Sequence, residues 1–309
     1  MRRICLGLLL GLLAPIAAMA DDFDQGLSTL WEVLWHQSGT PTRIVRWEND
    51  IKVRFTGVNV GAHHDHMMQA LRTVTGESGV KLTEVTGTPD EQQANLTVEI
   101  LADTALEDNQ PCVTFLDFKT ETRIDTALVQ MRDHDAWRCA FHESMHVMGV
   151  RGHPAGQTVL SYFPWKIDGL LPLDRVMLHA WYSPKMQAGM TPFESLPVLG
   201  EELLRGVPEK EKAQAMRSRD TFYAQTIQQM QAYAAGTGDV PSVVKRSGKS
   251  TPEGIRFGRG EMSYFLGVAY LEGSTTQRDA SQAVRWLERA ASLGNRGAQT
   301  RLGAFKQGN

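Results

Sequence analysis

Hydrophobic positions change period several times along the chain, and each change marks an element. In 43–57, Ile51, Val53 and Phe55 alternate with Lys52 and Arg54, the pattern of a strand with one buried face. Residues 62–75 place Met67, Met68, Leu71 and Val74 at helical spacing. Short apolar runs at 82–85, 96–101 and 127–131, separated by Gly, Pro, Asp and Asn, read as strands. A helix over 136–148 follows, with Gly149 as its stop. Strand, helix, several strands and helix predict an α/β or α+β layer with a mixed sheet, and α+β is the class we expect.

The second half is helical or irregular. A helix is expected over 174–182, with Asp174 as N-cap after Leu171-Pro172-Leu173. The Pro-, Gly- and Met-rich stretch 184–206 reads as a wrap-around connection, 209–235 as a helix, and 236–260 as a linker. Beyond it Tyr264, Leu266, Gly267, Ala269, Tyr270 and Gly273 precede Ala283, Trp286, Ala290, Ala291, Gly294, Ala298 and Leu302. Small residues at this spacing let two helices approach closely. Residues 261–303 resemble one Sel1-type repeat, a relative of the tetratricopeptide unit. A lone repeat cannot bury its own core, so it must lean on the 209–235 helix, the preceding domain or a partner protein.

The first twenty residues stand apart. Arg2 and Arg3 precede an apolar run to Met19, and Ala18-Met19-Ala20 suits a signal peptidase before Asp21. We expect a cleaved signal peptide over 1–20 rather than a retained anchor, and a periplasmic or secreted protein. Cleavage moves the net charge from -3 to -5, by loss of Arg2 and Arg3. No basic patch then suggests nucleic acid, and no later apolar run is long enough for a transmembrane helix. The expected organisation is a large domain over 21–206, helix and linker over 207–260, and the repeat over 261–309. Cys112 and Cys139 form one disulfide or stay as buried thiols, and an oxidising compartment favours the disulfide.

The candidate chemistry lies in His142-Glu143-Ser144-Met145-His146. Positions i and i+4 share a helix face, so both imidazoles can bind one ion. Glu143 beside them can act as general base on water activated by zinc. After the stop at Gly149, His153 can offer a third nitrogen, leaving the open position that catalytic zinc requires. The other histidines offer no such set. His63, His64 and His66 cannot all face one ion on a regular helix, His134 is placed to pair with a neighbouring Asp, and His36 and His179 stand alone. No Gly-x-Ser-x-Gly elbow is present.

The motif, with Thr158-Val159-Leu160-Ser161-Tyr162 after it and Trp181-Tyr182 further on, resembles the metzincin arrangement of zinc peptidases over about 43–189. Two features differ. The third histidine comes one residue late, at His153 instead of Gly152, and Leu160 stands where metzincins carry methionine. Both are closer to the bacterial zincin-like domain of unknown function 2927. That family often carries Glu-Glu-x-x-Gln in place of the histidine motif, and its aspartate falls at His153. The resemblance implies a zincin-like domain and a zinc metallopeptidase acting on peptide or protein. Zinc ligands are then His142, His146 and His153, with Glu143 as catalytic base. Tyr162 either stabilises the oxyanion or packs beneath the metal, and strand 127–131 serves as the edge that holds substrate. Arg151 either meets a substrate carboxylate or is solvated. A different outcome is a scaffold acting through its Sel1-like repeat.

Overall fold

A computed structural model describes residues 14–36, 38–107, 110–161, 167–248 and 250–307. Helix α1 (Ala14–Val33) leads to β1 (Arg46–Trp47), β2 (Ile51–Gly57), α2 (Val60–Ser78), β3 (Leu82–Glu84) and β4 (Leu96–Leu101). Strands β5 (Cys112–Thr120) and β6 (Arg123–Arg132) and helix α3 (Ala136–Val147) complete the mixed region. Then come α4 (Pro172–Trp181), α5 (Pro192–Arg205), α6 (Glu209–Ala235), α7 (Ser242–Arg246), α8 (Pro252–Glu272), α9 (Ala280–Ser292) and α10 (Arg296–Gln307). Most of the expected signal segment, residues 1–13, lies outside the described residues. The expected cleavage point after Ala20 falls within α1, and the buried Phe23, Leu27, Leu30 and Trp31 lie beyond it.

Alternation decides the sheet. Ile51, Val53 and Phe55 on β2, Leu96, Val98 and Ile100 on β4, and Ala127, Val129 and Met131 on β6 are all buried. These strands run parallel in the order β3-β2-β4-β6. β1 pairs in parallel with the start of β6, Trp47 beside Ile124. β5 is antiparallel to β6 and, among the described residues, pairs with no other strand, so it is the edge next to the site helix. Strand 127–131, expected at the edge, is instead interior, paired with β4 on one side and β5 on the other. Its buried Ala127, Val129 and Met131 explain why: two covered neighbours suit an apolar strand, whereas β5 exposes Phe115 and Phe118.

Three further expectations change. Helix α4 starts at Pro172 with Leu171 as its N-cap, and Asp174 sits in the first turn, where its carboxylate accepts from Leu171 N at 2.9 Å. The 184–206 connection contains α5, entered through a capping box: Glu194 N donates to Thr191 Oγ1 and Thr191 N to Glu194 Oε2. The 236–260 linker contains α7 and the first turns of α8, where Thr251 caps Gly254 N and Pro252 takes the first turn.

The helical half does not stand apart. Trp31 of α1 stacks on Phe193 of α5 at 5.6 Å, and Trp35 meets Tyr233 of α6. Arg43 donates to the Tyr264 hydroxyl of α8 at 2.9 Å and lies over its ring. Within the repeat, a Cβ on Gly267 of α8 would come 2.8 Å from the Leu287 side chain of α9. Small-residue packing between these helices is therefore as expected, and α8 leans on α6 and α5. No described helix is long and apolar enough to cross a membrane.

Candidate metal centre

Helix α3 is set by its ends. Cys139 is bonded to Cys112, tying the first turns of α3 to the start of edge strand β5. At the far end, Trp47 Nε1 donates to Val147 O at 2.7 Å and the Tyr182 hydroxyl to Met148 O at 3.0 Å. These bonds occupy carbonyls that the last turn leaves open. Gly149 then turns the chain back at φ +88°, and a Cβ there would lie 2.2 Å from Val45 O. A side chain at 149 is thus excluded twice, by conformation and by space.

The return brings His153 to the two helix histidines. The Nε2 atoms of His142, His146 and His153 are 3.1, 3.1 and 3.3 Å apart. His142 Nδ1 is 2.8 Å from Val159 O, and His146 Nδ1 is 2.6 Å from Val150 O. A carbonyl only accepts, so both Nδ1 atoms carry the proton and both Nε2 lone pairs face inward. Lone pairs at this distance repel unless a cation lies between them. Ion–nitrogen distances of 2.0–2.1 Å at tetrahedral angles give nitrogen separations of about 3.3–3.4 Å, close to those found. The triad fits a metal ion, and it is the one such group among the described residues.

Electrostatics favour the ligating form. Burial, then the nearby His142, lowers His153 to about 3, and burial holds His146 well below the usual histidine range. Both stay neutral at pH 7. Burial pushes the Glu143 carboxyl up, against the opposing effects of His142 and a 2.5 Å bond from Thr114 Oγ1 to Oε2. Glu143 therefore holds a proton more readily than an ordinary glutamate, as a group that must accept one requires.

The late position of the third histidine has a steric cause. A Cβ at Gly152 would sit 2.3 Å from Val33 O at the end of α1, so the loop passes too close to the helix for a side chain there. His153 is the first position free of it. Glu32 of α1 fastens the same loop: its Oε2 accepts from Ala155 N at 2.7 Å and meets Arg246 of α7 at 2.7 Å. Beneath the helix, Leu160 is fully buried, and Val159 N donates to the Asp174 carboxylate at 3.2 Å.

His142, Glu143, His146 and His153 all open onto one cleft of about 790 Å³, walled by Thr114–Leu116 and Phe118 of β5 and by Arg151. Tyr162 lies outside the described residues. The remaining histidines are dispersed: His63 pairs with Asp133, His64 with Glu84, His134 with Asp103, and His179 with Glu77. His66 stacks on Trp137, and His36 bonds Ser38 at the cleft wall. Arg151 is half-buried, not solvated. Thr114, Glu32 and the bond from Val159 N to the Asp174 carboxylate carry no local motif, so nothing in the sequence singled them out.

Comparison with known proteins finds a Sel1 repeat at residues 261–295. No curated protein and no solved structure matches the chain. These comparisons lend no support to a zincin-like family for the preceding region. The chain is a mixed α/β structure with a largely parallel sheet and a C-terminal helical Sel1 region.

Proposed function

We propose that the chain is an exported zinc-dependent metallopeptidase, with His142, His146 and His153 holding the ion and Glu143 as general base. The observation that carries this reading is the inward-facing Nε2 triangle beside a buried carboxylate, open to a cleft. Bound zinc supplies Lewis acidity, polarising a carbonyl and lowering the pKa of water to about 7. The rest is the work of the chain. Thr114 fixes Oε2 of Glu143, so Oε1 receives the proton from the attacking water and returns it to the leaving nitrogen. The free edge of β5 offers main-chain groups to an extended peptide. Tyr162, the residue after Ser161 in the sequence, is the one we assign to the developing oxyanion.

Zinc measured in the purified protein is expected at about one ion per chain, falling to near zero in His146→Ala. Equal content in both proteins removes the site. Glu143→Gln is expected to keep zinc and lose turnover by about 10²–10⁴-fold in an unbiased peptide-cleavage screen. The Sel1 repeat favours a second reading, since such repeats commonly mediate protein interactions. Under it the chain is a scaffold whose zinc is structural or absent, and Glu143→Gln leaves its cellular role unchanged.

A further inference from the structure

Whereas the other lining arginine, Arg138, is paired with Asp135, Arg151 carries a cleft charge that the proposed chemistry leaves unused. It follows Gly149 and Val150 on the return of the chain, two residues before His153, and its guanidinium lies 6.0 Å from the centroid of the Phe118 ring. Its Nε is fully buried without a hydrogen-bond partner, and among the described residues Arg151 forms no ion pair. Neither acid of the cleft lining pairs with it: Glu143 is bonded to Thr114, and Glu107 lies at the opposite end, near Gln110. Burial lowers the Arg151 pKa, and His36 is held down at about 4 by its own burial first and then by the Arg151 charge.

A half-buried guanidinium without a counter-ion is costly, and the face of one aromatic ring recovers only part of the loss. The rest is recovered when an anion enters. Two parallel N–H donors of arginine match the two oxygens of a carboxylate. We infer that Arg151 is the anion-binding element of this cleft, and that its ligands are peptides bearing a carboxylate on the Phe118 side of the triad. Phe118 lies four residues along β5 from Thr114, roughly 13 Å at strand rise, so the carboxylate sits a few residues from the point of cleavage. That carboxylate is either the C-terminus of a short peptide or an Asp or Glu side chain within a longer one. The inference deepens the peptidase reading and rests on it for the direction of the chain, but binding is measurable without turnover.

The test uses the zinc-loaded full chain carrying Glu143→Gln, so that bound peptide survives. Three N-acetylated probes of the sequence Ala-Gly-Ala-Gly-Ala-Gly are titrated by calorimetry: the free acid, its C-terminal amide, and the amide with the third alanine replaced by Glu. One or both of the acidic probes is expected to bind about tenfold or more tightly than the neutral amide. Preference for the free acid assigns the C-terminus, and preference for the Glu probe assigns the side chain. Adding Arg151→Gln is expected to abolish the preference, and adding Arg151→Lys to reduce it, because lysine keeps the charge and loses the fork. Equal affinity for all three probes, including no measurable binding of any, overturns the inference, as does a preference that survives Arg151→Gln in protein with an unchanged thermal midpoint. Zinc content of the same samples separates the two readings. Full loading without a carboxylate preference sinks the role of Arg151 alone, whereas a carboxylate preference in protein that binds no zinc sinks the metallopeptidase alone.

Discussion

Asp174 reaches the histidine triad through the backbone of one residue, Val159. Its carboxylate accepts from Val159 N, and Val159 O accepts from His142 Nδ1, so the acid orients the ring without touching it. Burial raises Asp174 to about 7, although bonds from Leu171 N and Val159 N favour the charged form. The folded chain therefore holds this proton up to about pH 7, while the unfolded chain releases it near 3.8. Over that window the folded state binds more protons, so stability falls as pH rises, by on the order of 4 kcal/mol in total. Asn cannot titrate. Urea unfolding at pH 5 and pH 8 is expected to show a larger loss with rising pH in the wild type than in Asp174→Asn. His36 and His153, held neutral by burial, make both proteins less stable as pH falls below about 6.5, and this shared term cancels in the comparison. Identical pH dependence in the two proteins would rule out Asp174 as the titrating group.

At the scale of elements, the disulfide is a covalent tie, beyond the backbone itself, between edge strand and site helix. It closes a loop of 27 residues holding the β5–β6 hairpin, and Thr114 lies two positions beyond Cys112. Loop-closure entropy puts its contribution at about 3.5 kcal/mol. Denaturant unfolding of the Cys112→Ala, Cys139→Ala double variant should show a loss of that order, and a loss below about 1 kcal/mol would mean that packing alone fixes β5. How legible an element was depended on where its partners come from. β2, β4 and β6 announce themselves because burial on a regular face imposes alternation. β5 does not, since an edge strand with Phe115 at 51 % and Phe118 at 36 % exposure has no consistent buried side. Helix α5 and the first turns of α8 were hidden by Pro192, Pro197, Gly254, Gly258 and Gly260, residues that usually mark loops, although Thr191-Pro192-x-Glu194 is a capping signal readable in the sequence. His142 and His146 were legible because helical spacing alone puts them together, and His153 because only seven residues separate it from His146. Thr114 and Glu32 join the site from 29 and 123 residues away, and no local rule anticipates such contacts.

Those long-range contacts decide how the molecule behaves as a whole. One apolar core runs from Leu30 of α1 through the sheet to Trp286 of the repeat and Ala298 of α10, so the helical half buttresses the histidine triad. Glu32 is where this support is most concentrated. Its carboxylate joins α1, the loop carrying His153 and, through Arg246, helix α7. Only His153 of the three ligands is on a loop, so its placement depends on this junction more than on local helix geometry. Removing Glu32 frees the Ala155 amide and unpairs Arg246 together. Removing Arg246 leaves the amide bond in place, and costs only a partly exposed ion pair, a weak contribution. Glu32→Ala is therefore expected to weaken zinc binding by about tenfold, the scale on which supporting bonds tune metal sites. Arg246→Ala should weaken it much less, and the double variant should match Glu32→Ala, because the two residues act through one contact. Competition against a zinc chelator of known affinity measures all three. If Arg246→Ala weakened zinc as much as Glu32→Ala, helix α7 rather than the Ala155 amide would be the element that holds the third ligand in place.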